Sequence, residues 1–199
     1  MAGSARPFGI LLVCTGNVCR SPVAELLLAS RFYADGAAGF TVSSAGTRAL
    51  AGRPMDPRAE ALLPPDVEAT GFRARQLEPS MVQAADLVLC MDRGVRAETV
   101  RTAPSALKRV FAFREFGRML RLMDHEAVPA GIGAADKAER WRQLVARAPA
   151  VRPLALARQE DDDDVLDPFG GPARQYERMM REIEPALAAL QEAGLALRS

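Results

Sequence analysis

Phe8-Gly-Ile-Leu-Leu-Val-Cys14 is a continuous apolar run, and Thr15-Gly-Asn-Val-Cys-Arg-Ser-Pro22 follows it directly. The run is short and contains the β-branched residues Ile10 and Val13, which predicts a buried strand of a parallel sheet. Ser21 is a good N-cap, and Pro22 suits the first position of a helix. The segment therefore predicts a strand, a tight glycine-containing loop and a helix, in that order.

Three further strands are predicted at Phe40–Ser44, Ala85–Met91 and Arg109–Ala112. Helical patterns alternate with these strands, which is typical of an α/β fold with a parallel sheet. We expect four parallel strands with helices on both faces of the sheet. Residues 116–153 are rich in Ala and Arg and predict a helical insertion before an acidic loop, all within one domain that covers residues 1–199.

The charge balance of the chain excludes some classes of partner. The 199 residues include 26 Lys and Arg against 25 Asp and Glu, a formal net charge of +1. This balance gives no signal for nucleic acid or for a membrane surface, and the apolar runs are too short to span a bilayer. Residues 1–7 do not read as a signal peptide, so we expect a cytoplasmic protein.

The histidine and cysteine content narrows the chemistry. The chain has one histidine, His125, and three cysteines, Cys14, Cys19 and Cys90. These numbers exclude a multi-histidine metal site, a Cys-only zinc site and a disulfide framework. Acid–base work then falls to a carboxylate, and a thiol is the candidate nucleophile. We expect His125 on the surface and Trp141 packed between the insertion and the rest of the domain.

The loop after the first strand has the features of an anion-binding site. Successive backbone N–H groups converge at such a junction, and the helix dipole adds positive potential. Arg20 offers a planar fork for two phosphate oxygens, and its charge favours a thiolate at Cys14. Gly16 lets the backbone curve, and Asn17 tolerates a left-handed conformation. The candidate phosphate-binding residues are Thr15, Gly16, Asn17, Val18, Cys19 and Arg20.

A second cysteine and arginine, Cys90 and Arg96, have the same spacing as Cys14 and Arg20. The second pair lacks the Gly–Asn sequence, and it would put the carboxylate of Asp92 inside the anion site. We therefore expect Cys90 to be a buried core residue, as free cysteines often are.

The segment Cys14–Pro22 resembles the phosphate-binding loop of the low-molecular-weight protein tyrosine phosphatases. In that family the general acid comes from an Asp-Pro dipeptide near the C-terminus, which here is Asp167-Pro168. The resemblance covers most of the chain except about residues 116–153. Its further matching segments are Ser43–Thr47, Gly52–Pro57, Arg75–Leu77, Ala85–Asp92 and Asp167–Phe169.

The resemblance implies phosphoryl transfer in two steps without a metal or another cofactor. Cys14 attacks phosphorus and forms a phosphocysteine, while Asp167 protonates the leaving group and then activates a water molecule. Arg20 and the loop amides stabilise the equatorial oxygens. By the same resemblance, Ser21 eases departure of the thiolate, and a hydrogen bond of Asn17 and Ser44 holds the loop in shape.

Cys19, which lies within this loop, has a simple and a functional interpretation. Cys19 is either a small apolar residue beneath the loop or the partner of oxidised Cys14 in a reversible disulfide. The resemblance favours the disulfide.

The acidic run Asp161–Asp164 is expected to be a solvated loop.

The resemblance implies a phosphotyrosine-containing protein as substrate and phosphate as product, with no nucleic-acid or membrane partner. Phe169 is the one aromatic residue expected at the rim, which predicts weak selectivity for a phenyl ring. A thioredoxin-linked arsenate reductase is one alternative, but its relay requires a further cysteine, which residues 94–102 lack. An inactive phosphoprotein-binding relative is the other, although all the expected chemical groups are present.

Overall fold

A four-stranded parallel sheet forms the centre of the protein, with strand order β2-β1-β3-β4. The strands are β1 (Phe8–Cys14), β2 (Phe40–Gly46), β3 (Leu87–Cys90) and β4 (Val110–Ala112). In the register of β1 with its two neighbours, Val13 lies between Ala45 and Cys90. The computed structural model describes residues 6–34, 39–123, 134–157 and 159–196. The α/β class and the four parallel strands predicted from sequence are confirmed.

Seven helices connect and cover the strands within the described residues. Asp92 and Asp56 cap two of them by accepting hydrogen bonds from backbone amides of the first turn. Short 3₁₀ helices occupy Pro104–Arg109, Arg152–Leu154 and Glu160–Asp163. The α-helices are α1 (Arg20–Ala34), α2 (Pro57–Glu60), α3 (Pro79–Ala84), α4 (Arg93–Thr102), α5 (Phe113–Leu122), α6 (Ala134–Val151) and α7 (Ala173–Ala196).

The two faces of the sheet bury two separate apolar cores, as expected for a parallel sheet covered on both sides. Alternate residues of β1 divide between them, with Ile10 and Leu12 in the larger core and Leu11 and Val13 in the smaller one. Residues of α1, α5, α6 and α7 fill the larger core, and residues of α3 and α4 contribute to the smaller one. The predicted helices on both faces are therefore present.

Helices α5 and α6 lie within or next to the predicted insertion. Trp141 of α6 is almost fully buried, with its ring centroid 5.6 Å from Phe8 and 6.1 Å from Phe40. This contact joins α6 to the sheet and confirms the packing expected for Trp141. His125 lies outside the described residues, and the single domain of residues 1–199 stays a prediction. Within the described parts of the chain, each helix is too short or too polar to cross a bilayer.

The acidic run before Asp167 is only partly solvated. Asp161 is 92% exposed, as expected, but the expectation was wrong for Asp163 and Asp164. Asp163 pairs with Arg118 of α5, and the carboxylate of Asp164 accepts a hydrogen bond of 2.9 Å from the backbone amide of Arg93. The side chains of Asp163 and Asp164 are 18% and 31% exposed. Arginines on two helices that are distant in sequence hold this run against the domain.

Candidate active site

The loop between β1 and α1 wraps around the sulfur of Cys14. The backbone amide of Asn17 donates to Cys14 Sγ over 3.2 Å, and the hydroxyl of Ser21 donates to the same atom over 2.9 Å. Asn17 has φ of 54°, and among the described residues it is the one non-glycine with a positive φ. This left-handed residue turns the chain back over Cys14, which lies at the carboxyl end of a central strand.

A buried hydrogen-bond network holds Asn17 in this conformation. Its side-chain amide donates to Ser44 Oγ over 2.7 Å and to Ser21 Oγ over 3.0 Å. Its Oδ1 accepts a bond of 2.8 Å from the backbone amide of Arg75. Each polar atom of the Asn17 side chain therefore has a partner in a neighbouring element. The hydrogen bond that the resemblance implies between Asn17 and Ser44 is present.

The network continues from Ser44 to Glu25 on α1. The hydroxyl of Ser44 donates to Glu25 Oε2 over 2.5 Å, and Arg75 donates to the carbonyl oxygen of Ser44 over 2.9 Å. Burial raises the pKa of Glu25 above its ordinary value, although the Ser44 hydroxyl and the Arg75 charge act in the opposite direction. The carboxyl group of Glu25 is thus connected to the sulfur of Cys14 by a chain of hydrogen bonds through Ser44, Asn17 and Ser21.

Backbone atoms of residues 46–50 form one wall beside the loop. The amides of Thr47, Arg48 and Leu50 donate to the carbonyl oxygens of residues 14, 15 and 16 respectively. A Cβ atom placed on Gly46 would lie 2.5 Å from the carbonyl oxygen of Thr15, well inside van der Waals contact. Only glycine lets the end of β2 approach the loop this closely.

Arg20 is 3% exposed, and its guanidinium is held from two sides. One terminal nitrogen donates to Asp92 Oδ2 over 2.8 Å and to the carbonyl oxygen of Val165 over 3.2 Å. The other donates to Asp167 Oδ2 over 2.6 Å and to Thr15 Oγ1 over 3.3 Å. Arg20 therefore joins the loop after β1 to Asp92, two residues beyond β3, and to the segment before α7.

Cys14, Arg20 and Asp167 line a cavity of about 180 Å³. Its rim is largely apolar and includes the aromatic residue Phe169, which is 52% exposed. The described residues contain no group of three or more His, Cys, Asp or Glu arranged to hold a metal ion. The lining consists of Cys14, Thr15, Gly16, Val18, Cys19, Arg20, Arg48, Leu50, Asp167 and Phe169.

The other two cysteines have different surroundings. Cys19 is buried beneath the loop, and burial together with the nearby Asp56 carboxylate raises the pKa of its thiol. Cys90 is fully buried in the smaller core on the opposite face of the sheet, and burial raises its pKa to about 12. Cys90 is therefore a core residue, as expected. All three cysteines, Cys14 included, are free thiols.

Sequence reasoning did not assign site contacts to Arg75, Arg48 or Leu50, and it also missed two acidic residues that contact predicted site residues. Asp92 binds Arg20 and Glu25 binds Ser44, and neither was expected to do so. A signal for Asp92 was available, because it directly follows a buried strand next to β1. The carboxyl ends of parallel strands meet at one edge of the sheet, where ligands bind. Glu25 carried no comparable signal, since it lies within a regular helix.

Comparison with known families assigns this site to a class. Residues 9–130 match the model of the family described as low molecular weight phosphotyrosine protein phosphatase. This chain belongs to that family. As a member of the low molecular weight phosphatases, it is a phosphatase, and the cavity around Cys14 is its candidate active site.

Individual members of the family are similar over different lengths of the chain. The probable low molecular weight protein-tyrosine-phosphatase EpsP of Ralstonia nicotianae is 40% identical over 107 residues, 53% of this chain and 70% of that protein. The solved arginine phosphatase YwlE from Geobacillus stearothermophilus has a TM-score of 0.64 and 28% identity, covering 94% of this chain and 92% of that one. A low molecular weight protein tyrosine phosphatase from T. tengcongensis has a TM-score of 0.65 and 25% identity, covering 93% and 98%.

Proposed function

We propose that this phosphatase hydrolyses phosphotyrosine in protein substrates and releases phosphate, with Cys14 as the nucleophile. One observation carries the proposal. The sulfur of Cys14, the guanidinium of Arg20 and the carboxylate of Asp167 line the same small cavity, and the last two are 2.6 Å apart. A nucleophile, an anion-binding fork and a proton donor are the groups that this hydrolysis requires.

In the first step the thiolate of Cys14 attacks phosphorus in line with the leaving group. The sulfur–phosphorus bond forms as the bond to the leaving oxygen breaks, and Asp167 gives its proton to that oxygen. Arg20 and the backbone amides of residues 15–20 bind the three equatorial oxygens. The hydrogen bond from Ser21 to Cys14 Sγ, at 2.9 Å, supports a negative charge on the sulfur.

In the second step a water molecule attacks the phosphocysteine. Asp167, now a carboxylate, accepts a proton from this water, and the sulfur leaves as a thiolate. The hydroxyl of Ser21 stabilises the departing thiolate, and Arg20 holds the phosphate oxygens as before. The reaction needs no metal in this scheme, because the protein supplies both the positive charge and the proton donor.

The rim of the cavity supports an aryl phosphate as substrate. Val18, Leu50 and Phe169 provide apolar surface for a phenyl ring. Arg48 adds positive charge at the rim, and its exposed side chain pairs with Glu98 over 2.9 Å. Phosphotyrosine suits such a rim better than phosphoarginine does, because its ring is apolar whereas the guanidinium of phosphoarginine is polar.

Phosphoarginine is the second candidate substrate. The specific observation in its favour is the similarity to the Geobacillus stearothermophilus arginine phosphatase, which covers 94% of this chain. Asp167, the one carboxylate among the described residues that line the cavity, provides an acceptor for the guanidinium of that substrate. Matched peptides with phosphotyrosine or phosphoarginine at one position separate the two, and we expect the higher kcat/KM for phosphotyrosine.

The location of Cys90 favours hydrolysis over an arsenate reductase. A thiol relay must bring its cysteines together, but Cys90 packs in the smaller core while Cys14 and Cys19 border the larger one.

We further propose that Cys19 protects oxidised Cys14 through a reversible disulfide. Three free thiols also suit a reducing compartment, which supports a cytoplasmic location.

The central experiment compares Cys14→Ser and Asp167→Ala with the natural protein on phenyl phosphate, an aryl phosphate with a poor leaving group. We expect Cys14→Ser to abolish turnover and Asp167→Ala to slow it by about 10²–10⁴-fold, the usual contribution of a general acid. Cys90→Ala is the matched control, since Cys90 has the same spacing to an arginine but lies in the core. Retention of activity in Cys14→Ser would refute the proposal, and binding of phosphate without turnover in the natural protein would favour the inactive relative.

A further inference from the structure

The backbone directly before Asp167 is held by groups from three other elements. The amide of Val165 donates to the carbonyl oxygen of Met91, after β3, over 2.7 Å, and the carbonyl of Val165 accepts from Arg20 over 3.2 Å. The amide of Leu166 donates to Glu182 Oε2 of α7 over 2.7 Å. These contacts determine where the chain turns towards the cavity.

Glu182 is well suited to hold this amide. Its side chain is 13% exposed, and its second oxygen accepts from Arg178 Nε over 2.7 Å, so both oxygens have fixed partners. A hydrogen bond to an ionised carboxylate is stronger than one between neutral groups. Pro168 has no amide hydrogen, and the amide of Phe169 donates to Asp167 itself over 3.2 Å. Helix α7 therefore holds the backbone beside Asp167 through Glu182.

The side chain of Asp167 is less firmly held than its backbone. It is 47% exposed, and its principal contact is Arg20. Arg20 is also the proposed ligand of the substrate phosphate, so phosphate binding competes for the guanidinium. Once Arg20 binds phosphate, the position of the Asp167 carboxyl depends more strongly on the backbone contacts next to it.

We propose that Glu182 is a positioning residue that fixes the backbone at Leu166, so that Asp167 faces the leaving-group oxygen of the substrate. This inference rests on the proposed function, in which Asp167 is the general acid. Small misplacements of a catalytic group are costly, because proton transfer requires hydrogen-bond distance to the reacting oxygen.

The test uses substrates that differ in their need for a proton. Phenyl phosphate has a poor leaving group, whereas p-nitrophenyl phosphate has a good one that departs with little protonation. We expect Glu182→Ala to lower kcat/KM for phenyl phosphate by about tenfold or more and to affect p-nitrophenyl phosphate much less. Glu182→Met keeps the length of the side chain without an acceptor, so it should reproduce the effect if Glu182→Ala folds poorly.

Two further variants separate positioning from a general structural role. Glu182→Gln keeps an acceptor oxygen and should restore most of the activity on phenyl phosphate. Glu184→Ala is the matched control, since Glu184 lies on the same helix and also binds an arginine, Arg31, over 2.7 Å, but does not contact the acid segment. We expect Glu184→Ala to leave the ratio of the kcat/KM values for phenyl phosphate and p-nitrophenyl phosphate unchanged.

Equal losses on both substrates, or no loss in Glu182→Ala and Glu182→Met, would overturn the inference. Asp167→Ala, measured on the same two substrates, tells this failure from failure of the proposed function. If Asp167→Ala lowers kcat/KM selectively for phenyl phosphate and the Glu182 variants do not, only the positioning role of Glu182 is wrong. If Asp167→Ala shows no selective loss either, Asp167 is not the general acid and both proposals fail.

Discussion

The carboxylate of Asp167 and the guanidinium of Arg20 form an ion pair of 2.6 Å, although 147 positions separate them in the chain. In the proposed mechanism this pair opens when phosphate binds to Arg20. The ionised form of Asp167 thus opposes binding of an anion, whereas the first step of catalysis needs the protonated form. The two effects can be separated by experiment.

We predict that Asp167→Asn slows hydrolysis and strengthens phosphate binding. Asparagine cannot donate the proton, so kcat should fall by about 10²–10⁴-fold. Removal of one negative charge also frees Arg20 for the anion, so inorganic phosphate should inhibit at a concentration several-fold lower. Steady-state inhibition and calorimetry measure the two effects. Asp161→Asn is the control, because Asp161 is 92% exposed in the same acidic run. Weaker phosphate binding by Asp167→Asn would contradict the prediction.

The close approach of Gly46 to Thr15 predicts a strong effect of a single methyl group. In Gly46→Ala the new Cβ would lie 2.5 Å from a backbone oxygen, so the loop around Cys14 must shift. We expect a loss of about 1–3 kcal/mol in the free energy of unfolding, together with a marked fall in kcat/KM. Urea denaturation and p-nitrophenyl phosphate turnover measure these quantities.

Gly9→Ala is the matched control for Gly46→Ala. Gly9 lies on the neighbouring strand, and a Cβ there would be 3.6 Å from its nearest neighbours, an ordinary contact. Stability and turnover of Gly9→Ala should remain close to those of the natural protein. Similar effects of the two substitutions would mean that the contact at Gly46 is not what shapes the loop.

Glu25 should make the stability of the protein depend on pH. Burial raises the pKa of Glu25 in the folded state above the ordinary value of 4.5. The contribution of this group to stability is therefore complete below about pH 4.5 and is lost as pH rises through the raised folded pKa. Glu25→Gln removes the titration and keeps an acceptor for Ser44.

The difference in unfolding free energy between Glu25→Gln and the natural protein should therefore increase in favour of the glutamine variant as pH rises. It should then become constant above the folded pKa of Glu25. Urea denaturation of both proteins from pH 4 upwards measures this difference. A difference that stays constant or falls with pH would show that the folded-state pKa of Glu25 is not raised.

The three thiols should differ in reactivity. Cys14 and Cys19 both border the cavity, but burial raises the pKa of Cys19 and of Cys90, whereas Cys14 Sγ accepts hydrogen bonds from the Asn17 amide and the Ser21 hydroxyl. At neutral pH, iodoacetamide should modify Cys14 alone, and inorganic phosphate should slow that reaction. Mass spectrometry counts the modified residues, and the denatured protein should take up three groups. Modification of Cys90 in the folded protein would contradict the burial described for it.

The sequence by itself determined the elements that are local in the chain. β1, the loop and α1 are contiguous, and their identity depends on an apolar run and on the tolerance of Asn17 for a left-handed conformation. The cap predicted at Ser21 was wrong, because α1 begins at Arg20 and the hydroxyl of Ser21 binds Cys14 Sγ instead. The order of Cys14, the loop amides and Arg20 is set within these few residues, whereas Ser44, Arg75 and Asp92 from other elements hold them in place. The parallel sheet was likewise predictable, because strands that alternate with helices have few alternative arrangements.

Only the tertiary structure decided what surrounds that loop. Asp92 reaches Arg20 because β3 lies beside β1 in the sheet, and Glu182 reaches Leu166 because α7 packs below the acid segment. Such pairs have no fixed spacing in sequence, since packing of separate elements brings them together. The partners of the acidic run were not predictable from sequence for the same reason, because its arginine partners come from α4 and α5. A local pattern predicts the conformation of a segment, whereas the partners of its charges depend on which elements fold against it.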